Sequence, residues 1–346
     1  MTGRKKILLI YTGGTIGMIQ ADDDGAFIPF NFELIRSQFP ELEQLGSDIE
    51  VISYNPPLDS SNMGPESWVS IVHTIADWYS KVDGFVILHG TDTMAYTGSA
   101  LSFMLEGLAK PVILTGAQLS INQIRTDAKE NLVTAIQIAS HPELPIREVA
   151  IYFQNRLYRA NRTKKMDADD FAAFNSPNFP ALGEAGVHLE FEFPTPEDAY
   201  KGRRFRVFDQ LEYHVGHLRF YPGLPPEMMD TILLNPKLKG VILQSYGSGN
   251  LPTSPHLIAT LKKAIDQGKT ILNITQCSAG TVEMGRYATS TQLLKQGIIS
   301  GKDLTFEAAL SKMMYLMGKY KDADEVRFYM ERNIRGEMRA DKGYTT

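Results

Sequence analysis

Ile7-Leu8-Leu9-Ile10-Tyr11-Thr12-Gly13-Gly14-Thr15-Ile16-Gly17 and Gly84-Phe85-Val86-Ile87-Leu88-His89-Gly90-Thr91-Asp92-Thr93-Met94 follow one pattern: a continuous apolar run passes directly into a loop of glycine and threonine. A run apolar at every position suits a strand covered by helices on both faces of a parallel sheet. Open parallel sheets bind ligands beyond the carboxyl ends of their strands, so both loops are expected over one crevice. That crevice would hold several hydroxyls, a carboxylate and free backbone N–H groups. Hydroxyls are weak nucleophiles until a neighbour takes their proton. Two threonines beside an aspartate therefore point to acyl transfer rather than to phosphate binding. The first loop has neither G-x-G-x-x-G nor G-x-x-x-x-G-K-[ST] spacing, and no lysine follows it, so a nucleotide fingerprint is missing.

Outward from these strands the pattern alternates. A helix is expected at 31–39, and a strand at 49–54 running into Pro56-Pro57-Leu58-Asp59-Ser60-Ser61. Pro65 suits a helix start, and Trp68, Ile71, Val72, Ile75 and Trp78 then follow helical spacing. Further helices are predicted at 95–108 and, capped by Asp127, up to Ala139, with strands at 111–114 and 149–153. Such alternation argues a doubly wound α/β domain. From about residue 188 the character changes: 188–193 alternates with period two, and 204–208 and 217–221 read as extended. The α/β pattern resumes with strands at 240–243 and 270–274, each opening onto a polar loop. Helices are predicted at 255–267, 306–317 and 324–332.

The bulk composition fits a soluble globular protein with two domains. There are 346 residues, 43% apolar and 22% charged, with 35 basic against 40 acidic residues and a net charge of −5. The densest basic run, Arg162-Thr163-Lys164-Lys165, is followed by Asp167, Asp169 and Asp170, so no basic stripe for nucleic acid emerges. Cys277 is the only cysteine, which excludes an internal disulfide and fits a reducing compartment. The apolar run after Arg4-Lys5-Lys6 is cut short by Thr12-Gly13-Gly14-Thr15, too early for a signal peptide. No stretch approaches the ~20 apolar residues of a membrane span. The expected location is cytoplasmic, with no membrane partner.

Among single residues, Thr91 and Asp92 are the strongest catalytic candidates, because helix capping alone does not need the whole cluster. Thr93 is read as the cap of the helix that follows. His89 ends a core strand and is read as a buried, hydrogen-bonded residue. Lys165 is ambiguous by itself; buried beside Asp92 it would be held between desolvation and attraction, poised to shuttle the Thr91 proton. Asp59-Ser60-Ser61 fits a ligand-holding loop and a capped turn equally. Gly247-Ser248-Gly249-Asn250 offers backbone N–H groups and an amide.

Together these segments resemble the bacterial-type L-asparaginases, and the cytoplasmic (type I) members above all, over nearly the whole chain. The resemblance rests on Tyr11-Thr12-Gly13-Gly14-Thr15-Ile16-Gly17-Met18, on residues 84–94, on Asn155-Arg156-Leu157-Tyr158-Arg159 and on Ser245-Tyr246-Gly247-Ser248-Gly249-Asn250. It implies a larger N-terminal doubly wound domain and a smaller C-terminal α/β domain, partitioned as 1–195, a connection at 196–225, and 226–346. It implies hydrolysis of L-asparagine to L-aspartate and ammonia without cofactor or metal, in homodimers that often pair into tetramers. By motif position Thr15 matches the first catalytic threonine, Thr91 the second, and Lys165 the catalytic lysine. Asp92 and Asp59 match residues that grip the substrate α-amino group. Ser60, flanked by Ser61, matches a binder of the α-carboxylate. Ala117 matches a residue near the side-chain amide, and Asn250 one that reaches a neighbouring subunit's site.

The sequence departs from the family in places. The loop after Thr15 carries Phe27 where many relatives have a catalytic tyrosine; Tyr287 is the candidate replacement, from another subunit. Gln244 and Lys164 stand where effector-binding relatives have arginine and threonine, so an allosteric asparagine site near Cys277 is not expected. Two further readings are the amidase subunit of a tRNA-dependent amidotransferase, and a non-catalytic amino-acid sensor or dinucleotide-binding module. The first would need an additional domain, for which the early first strand is read as leaving no room.

Overall fold

The structure is a computed structural model that describes residues 4–20, 27–29, 40–141, 146–191, 204–285, 294 and 296–340. It forms two compact units, Met1–Asp209 and Gln210–Thr346.

The first unit is built on strands β1 (Lys6–Tyr11), β2 (Asp48–Ser53), β3 (Gly84–Leu88), β4 (Val112–Thr115) and β5 (Val149–Phe153). They lie side by side in the order β2-β1-β3-β4-β5, all parallel. In this order the chain goes left of β1 and then right of it, so the topological switch point lies between β1 and β3. The two strands that run into threonine-glycine loops are therefore neighbours at the place where such sheets bind ligands. Ile7 to Ile10 and Phe85 to Leu88 have no exposed surface, as runs apolar on both faces require. Each such side chain contributes roughly 1.5–3 kcal/mol by leaving water.

Helices cover the sheet as their spacing dictates. In α1 (Pro65–Trp78) the proline opens the first turn, and Trp68, Ile71, Val72 and Ile75 are buried. Helix α2 (Met94–Met104) is shorter than predicted. Leu105–Glu106 leaves the helix to pair antiparallel with Arg206–Val207, and Gly107 at φ +64° turns the chain. Helix α3 (Ala128–Ser140) packs Leu132, Ala135 and Ile136 against Leu9, Val86 and Ile113 of the sheet. The helix expected at 31–39 lies outside the described residues.

Three antiparallel strands extend the sheet beyond β5: β6 (Arg156–Arg159), Gly183–Ala185 and Leu189–Phe191. The β5–β6 connection is the two-residue turn Gln154–Asn155, with φ +45° and +61°, the left-handed pair that tight hairpins require. After β6 the chain makes a small antiparallel ladder of β7 (Lys164–Lys165) and β8 (Phe174–Asn175), in which Lys165 faces Phe174. Phe174 is buried and meets the Phe153 ring edge-on at 5.0 Å.

The second unit has a four-stranded parallel sheet in sequential order: Val215–Arg219, Gly240–Ser245, Thr270–Thr275 and Ile299–Ser300. Its core includes Leu218, Val241, Leu243, Leu257, Leu261 and Ile271. Ser254 and Thr305 cap the helices Pro255–Asp266 and Phe306–Lys319 with side-chain oxygens.

Candidate active site

The carboxyl ends of β1, β3 and β4 are level. Thr12 N–H donates to Leu88 O at 3.0 Å and His89 N–H to Thr115 O at 2.9 Å, so the loops 12–17, 89–93 and 116–118 leave the sheet together. The loop after β2 joins them, because Leu58 N–H donates to Thr12 O at 2.8 Å. Glycines let these loops touch. A Cβ on Gly14 would lie 2.5 Å from Gly90 Cα, one on Gly90 2.5 Å from Ser60 Oγ, and one on Gly116 2.4 Å from His89 O. Gly14 also holds φ +94°, where a side chain is strained. Thr15 and Thr91 each follow one of two glycines whose backbones abut.

Lys165 enters from the β7–β8 ladder. Its Nζ donates to Thr91 Oγ1 at 2.9 Å and to Asp92 Oδ1 at 2.8 Å. Its side chain is largely covered while that of Asp92 is mostly in solvent, at 19% and 65% exposure. The amine thus bridges a hydroxyl and a carboxylate, groups of the kind that general acid–base chemistry uses. Thr15 is exposed at the start of a single 3₁₀ turn, Thr15–Gly17.

The remaining candidates fall in three places. Asp59 caps the turn Ser60–Asn62, its Oδ1 accepting from Ser61 N–H at 2.9 Å; Ser60 is buried and Asp59 exposed. Ala117 is buried on the loop after β4. Asn250 belongs to the second unit, where its N–H and C=O pair with Tyr246 across a tight turn. Tyr287 lies outside the described residues, and of Phe27 only its place in the short strand Phe27–Pro29 is described.

Two capping expectations are corrected. Thr93 does occupy the position before α2, but its side chain accepts no helix N–H; the hydroxyl donates to Ser60 O at 2.7 Å, tying the β2 and β3 loops together. Asp127 precedes α3 without capping it. Its carboxylate turns back to accept from Gln118 N–H and Leu119 N–H at 3.1 Å, which fixes the β4 loop.

Sequence reasoning missed Gln118. Thr91 Oγ1 donates to Gln118 Oε1 at 3.3 Å, and Gln118 Nε2 donates to the carbonyls of Ala168 and Asp170 at 3.1 and 2.9 Å. It thus fastens the segment after Lys165 to the second threonine. The available signal was positional, since Gln118 directly follows Thr115-Gly116-Ala117 at a strand's carboxyl end.

His89 is buried, as expected. Burial holds its imidazole down to about 4, although the carbonyl of Gly90 favours the charged form. Among the described residues no cluster of His, Cys, Asp or Glu is arranged to hold a metal ion, and no helix is long and apolar enough to cross a membrane.

Residues 6–196 match the family model described as Asparaginase, N-terminal, and residues 214–330 that of the Glutaminase/Asparaginase C-terminal domain. The chain is 44% identical to L-asparaginase 1 of Escherichia coli K12, covering 98% of this chain and 99% of that protein. The crystal structure of L-asparaginase I from Vibrio cholerae superposes with a TM-score of 0.90 at 43% identity, over 97% of this chain and 100% of that one. A glutamyl-tRNA(Gln) amidotransferase subunit of Pyrococcus abyssi is 32% identical, over 97% of this chain and 77% of that protein.

Proposed function

This chain belongs to the asparaginase family, and on that premise we propose that it hydrolyses L-asparagine to L-aspartate and ammonia through a threonine nucleophile. The observation that carries the mechanism is Lys165 Nζ bonded to both Thr91 and Asp92 where the two threonine loops meet. In this reading Thr15 Oγ attacks the side-chain carboxamide carbon. Its proton passes into the Thr91–Lys165–Asp92 chain and returns to the departing nitrogen, which leaves as ammonia. Water then splits the threonine ester, and L-aspartate is released. The N–H groups of Thr91 and Ala117 stabilise the oxyanion; losing one such donor costs about 2.7–4 kcal/mol of barrier.

Asp59, Ser60, Ser61 and Asp92 hold the substrate's α-amino and α-carboxylate groups in this proposal. Asn250, and Tyr287 as the missing phenol, are contributed across a homodimer, which pairs further into a tetramer. No cofactor is needed, and the working place is the cytoplasm. The matches of residues 6–196 and 214–330 to the two family domains and the 44% identity to an L-asparaginase support the substrate assignment.

The test is ammonia release by the purified chain against L-asparagine concentration, repeated with L-glutamine. Saturable release from asparagine is expected. Binding of asparagine without ammonia would instead support an amino-acid sensor. Thr15→Val should retain the fold by circular dichroism and lose turnover at least about 1,000-fold, as expected for a nucleophile. Near-normal activity in that variant would remove Thr15 from the role. Hydroxylamine trapping of an acyl-enzyme separates the covalent route from direct attack by water.

A further inference from the structure

Two buried side chains that take no part in the proton path grip the site from behind. His89 has no exposed surface; its Nδ1 lies 2.7 Å from Gly90 O, and its Nε2 2.8 Å from Thr97 Oγ1. A carbonyl oxygen only accepts, so Nδ1 carries the proton and Nε2 accepts from the Thr97 hydroxyl. Trp68 Nε1–H, which only donates, supplies Thr97 Oγ1 at 3.1 Å. The result is a one-way chain, Trp68 to Thr97 to His89 to the carbonyl of Gly90, with the imidazole neutral.

The β4 loop repeats the device. Asn131 Nδ2 donates to Gly116 O at 3.0 Å and to Asp127 Oδ2 at 3.1 Å. Asn131 is 3% exposed, and its Oδ1 accepts from Gln154 N–H at 3.4 Å, which fixes the amide's orientation.

A trans peptide unit is planar, with its C=O and the next residue's N–H on opposite edges. Pinning the oxygen therefore aims the hydrogen. Gly90 O shares its plane with the N–H of Thr91, and Gly116 O with the N–H of Ala117. Both N–H groups are turned away from the buried side chains that hold their carbonyls. Among the described residues neither N–H donates to a protein acceptor. The two loops also brace each other, since Gly116 packs on His89 O.

We infer that His89 and Asn131 are positioning residues that aim the N–H groups of Thr91 and Ala117 at one oxygen, so that the oxyanion site is set from the core side by two side chains that never touch substrate. Glycine at 90 and 116 makes this restraint necessary, because a peptide unit following a residue without Cβ turns freely unless it is held. The inference rests on the amidohydrolase reading of the site and extends it.

The test is a pair of substitutions at one position. Asparagine places its amide nitrogen where Nδ1 of histidine lies, whereas the longer glutamine reaches toward the Nε2 position. His89→Asn keeps a donor to Gly90 O, and His89→Gln meets Thr97 and abandons Gly90. Both lose the ring, so a merely structural role would treat them alike. His89→Gln is expected to lower kcat about 10- to 100-fold, less than outright loss of an oxyanion donor, with His89→Asn recovering most of it. KM, and the affinity for L-aspartate, which has no tetrahedral oxygen, should stay within about twofold.

Asn131→Leu, close in shape but without a donor, should likewise lower kcat with L-aspartate affinity kept. It decides the matter should the His89 variants not fold. Equal kcat in His89→Gln and His89→Asn, or wild-type kcat in a folded Asn131→Leu, would overturn the inference. Absence of ammonia release from the wild-type chain would instead overturn the reading on which it rests.

Discussion

His89 shows how a residue set aside as structural acquires a measurable signature. Burial lowers its pKa from 6.5 to about 4, so the folded chain keeps it neutral where the unfolded chain binds a proton. A depressed folded-state value means the contribution to stability is complete above pH 6.5 and is lost as pH falls toward 4. The loss amounts to about 3 kcal/mol over that window. Urea midpoints at pH 7.5 and 4.5 should therefore converge more in His89→Asn than in the wild type. An unchanged difference between the two pH values would show that His89 does not titrate in this way. Thr91 and Asp92 stood out in the sequence because a carboxylate between two hydroxyls is rare in one place, whereas Lys165 was ambiguous by itself and was singled out only by the family resemblance. Gln118, Asn131 and Asp127 were not legible, because an amide or carboxylate that works by holding a backbone looks like any polar loop residue until the loop is folded.

Elements were readable in proportion to their length and regularity. The strands at 7–11, 84–88 and 149–153 were expected because continuous apolar runs have one economical use in an α/β sheet. The ladder that delivers Lys165 was invisible. Its strands, Lys164–Lys165 and Phe174–Asn175, have two residues each, too few for any period. Helix α2 ran short for a comparable reason: Leu105–Glu106 finds a strand partner a hundred residues away, which no local pattern encodes. The loops that end β1 and β3 depend on the close approach of Gly14 and Gly90. Gly14→Ala would set a Cβ 2.5 Å from Gly90 backbone atoms at φ +94°. The variant should lose about 1–3 kcal/mol of stability from backbone strain alone, and activity far beyond that, because the threonine loops are forced apart. Urea denaturation and ammonia release measure the two effects. A stable variant with wild-type kcat would mean that the contact does not matter.

On the scale of the whole molecule the chain divides its work. The first unit carries the switch point with its threonine loops, and the second adds a separate sheet with its own core. The second unit also holds an ion pair without exposed surface, Lys312 Nζ to Glu337 Oε1 at 2.6 Å. Desolvation opposes the Glu337 charge, yet Lys312 and the N–H groups of Glu337 itself and Arg335 hold its carboxyl below the usual range, and Ile334 N–H also donates to it. Lys312 also donates to the carbonyls of Met330 and Arg332, tying down the end of the helix Ala323–Met330 and the residues that follow it. Lys312→Met leaves Glu337 buried and unpaired and should cost about 3–5 kcal/mol. Calorimetry of the full chain measures this, and a loss below about 1 kcal/mol would contradict a structural role for the pair. Composition alone gave no hint of this clamp, since an interior lysine and a surface one look the same in sequence.

Whether Lys165 completes a proton path with Thr91 and Asp92 beside Thr15 is tested most directly by steady-state ammonia release from L-asparagine, measured for the wild-type chain and for Lys165→Met. General acid–base assistance is worth about 100- to 10,000-fold. A proton path through Lys165 predicts a kcat lowered by at least the smaller of these factors in a variant that still folds and still binds L-aspartate. A folded Lys165→Met enzyme that turns over at the wild-type rate would contradict it.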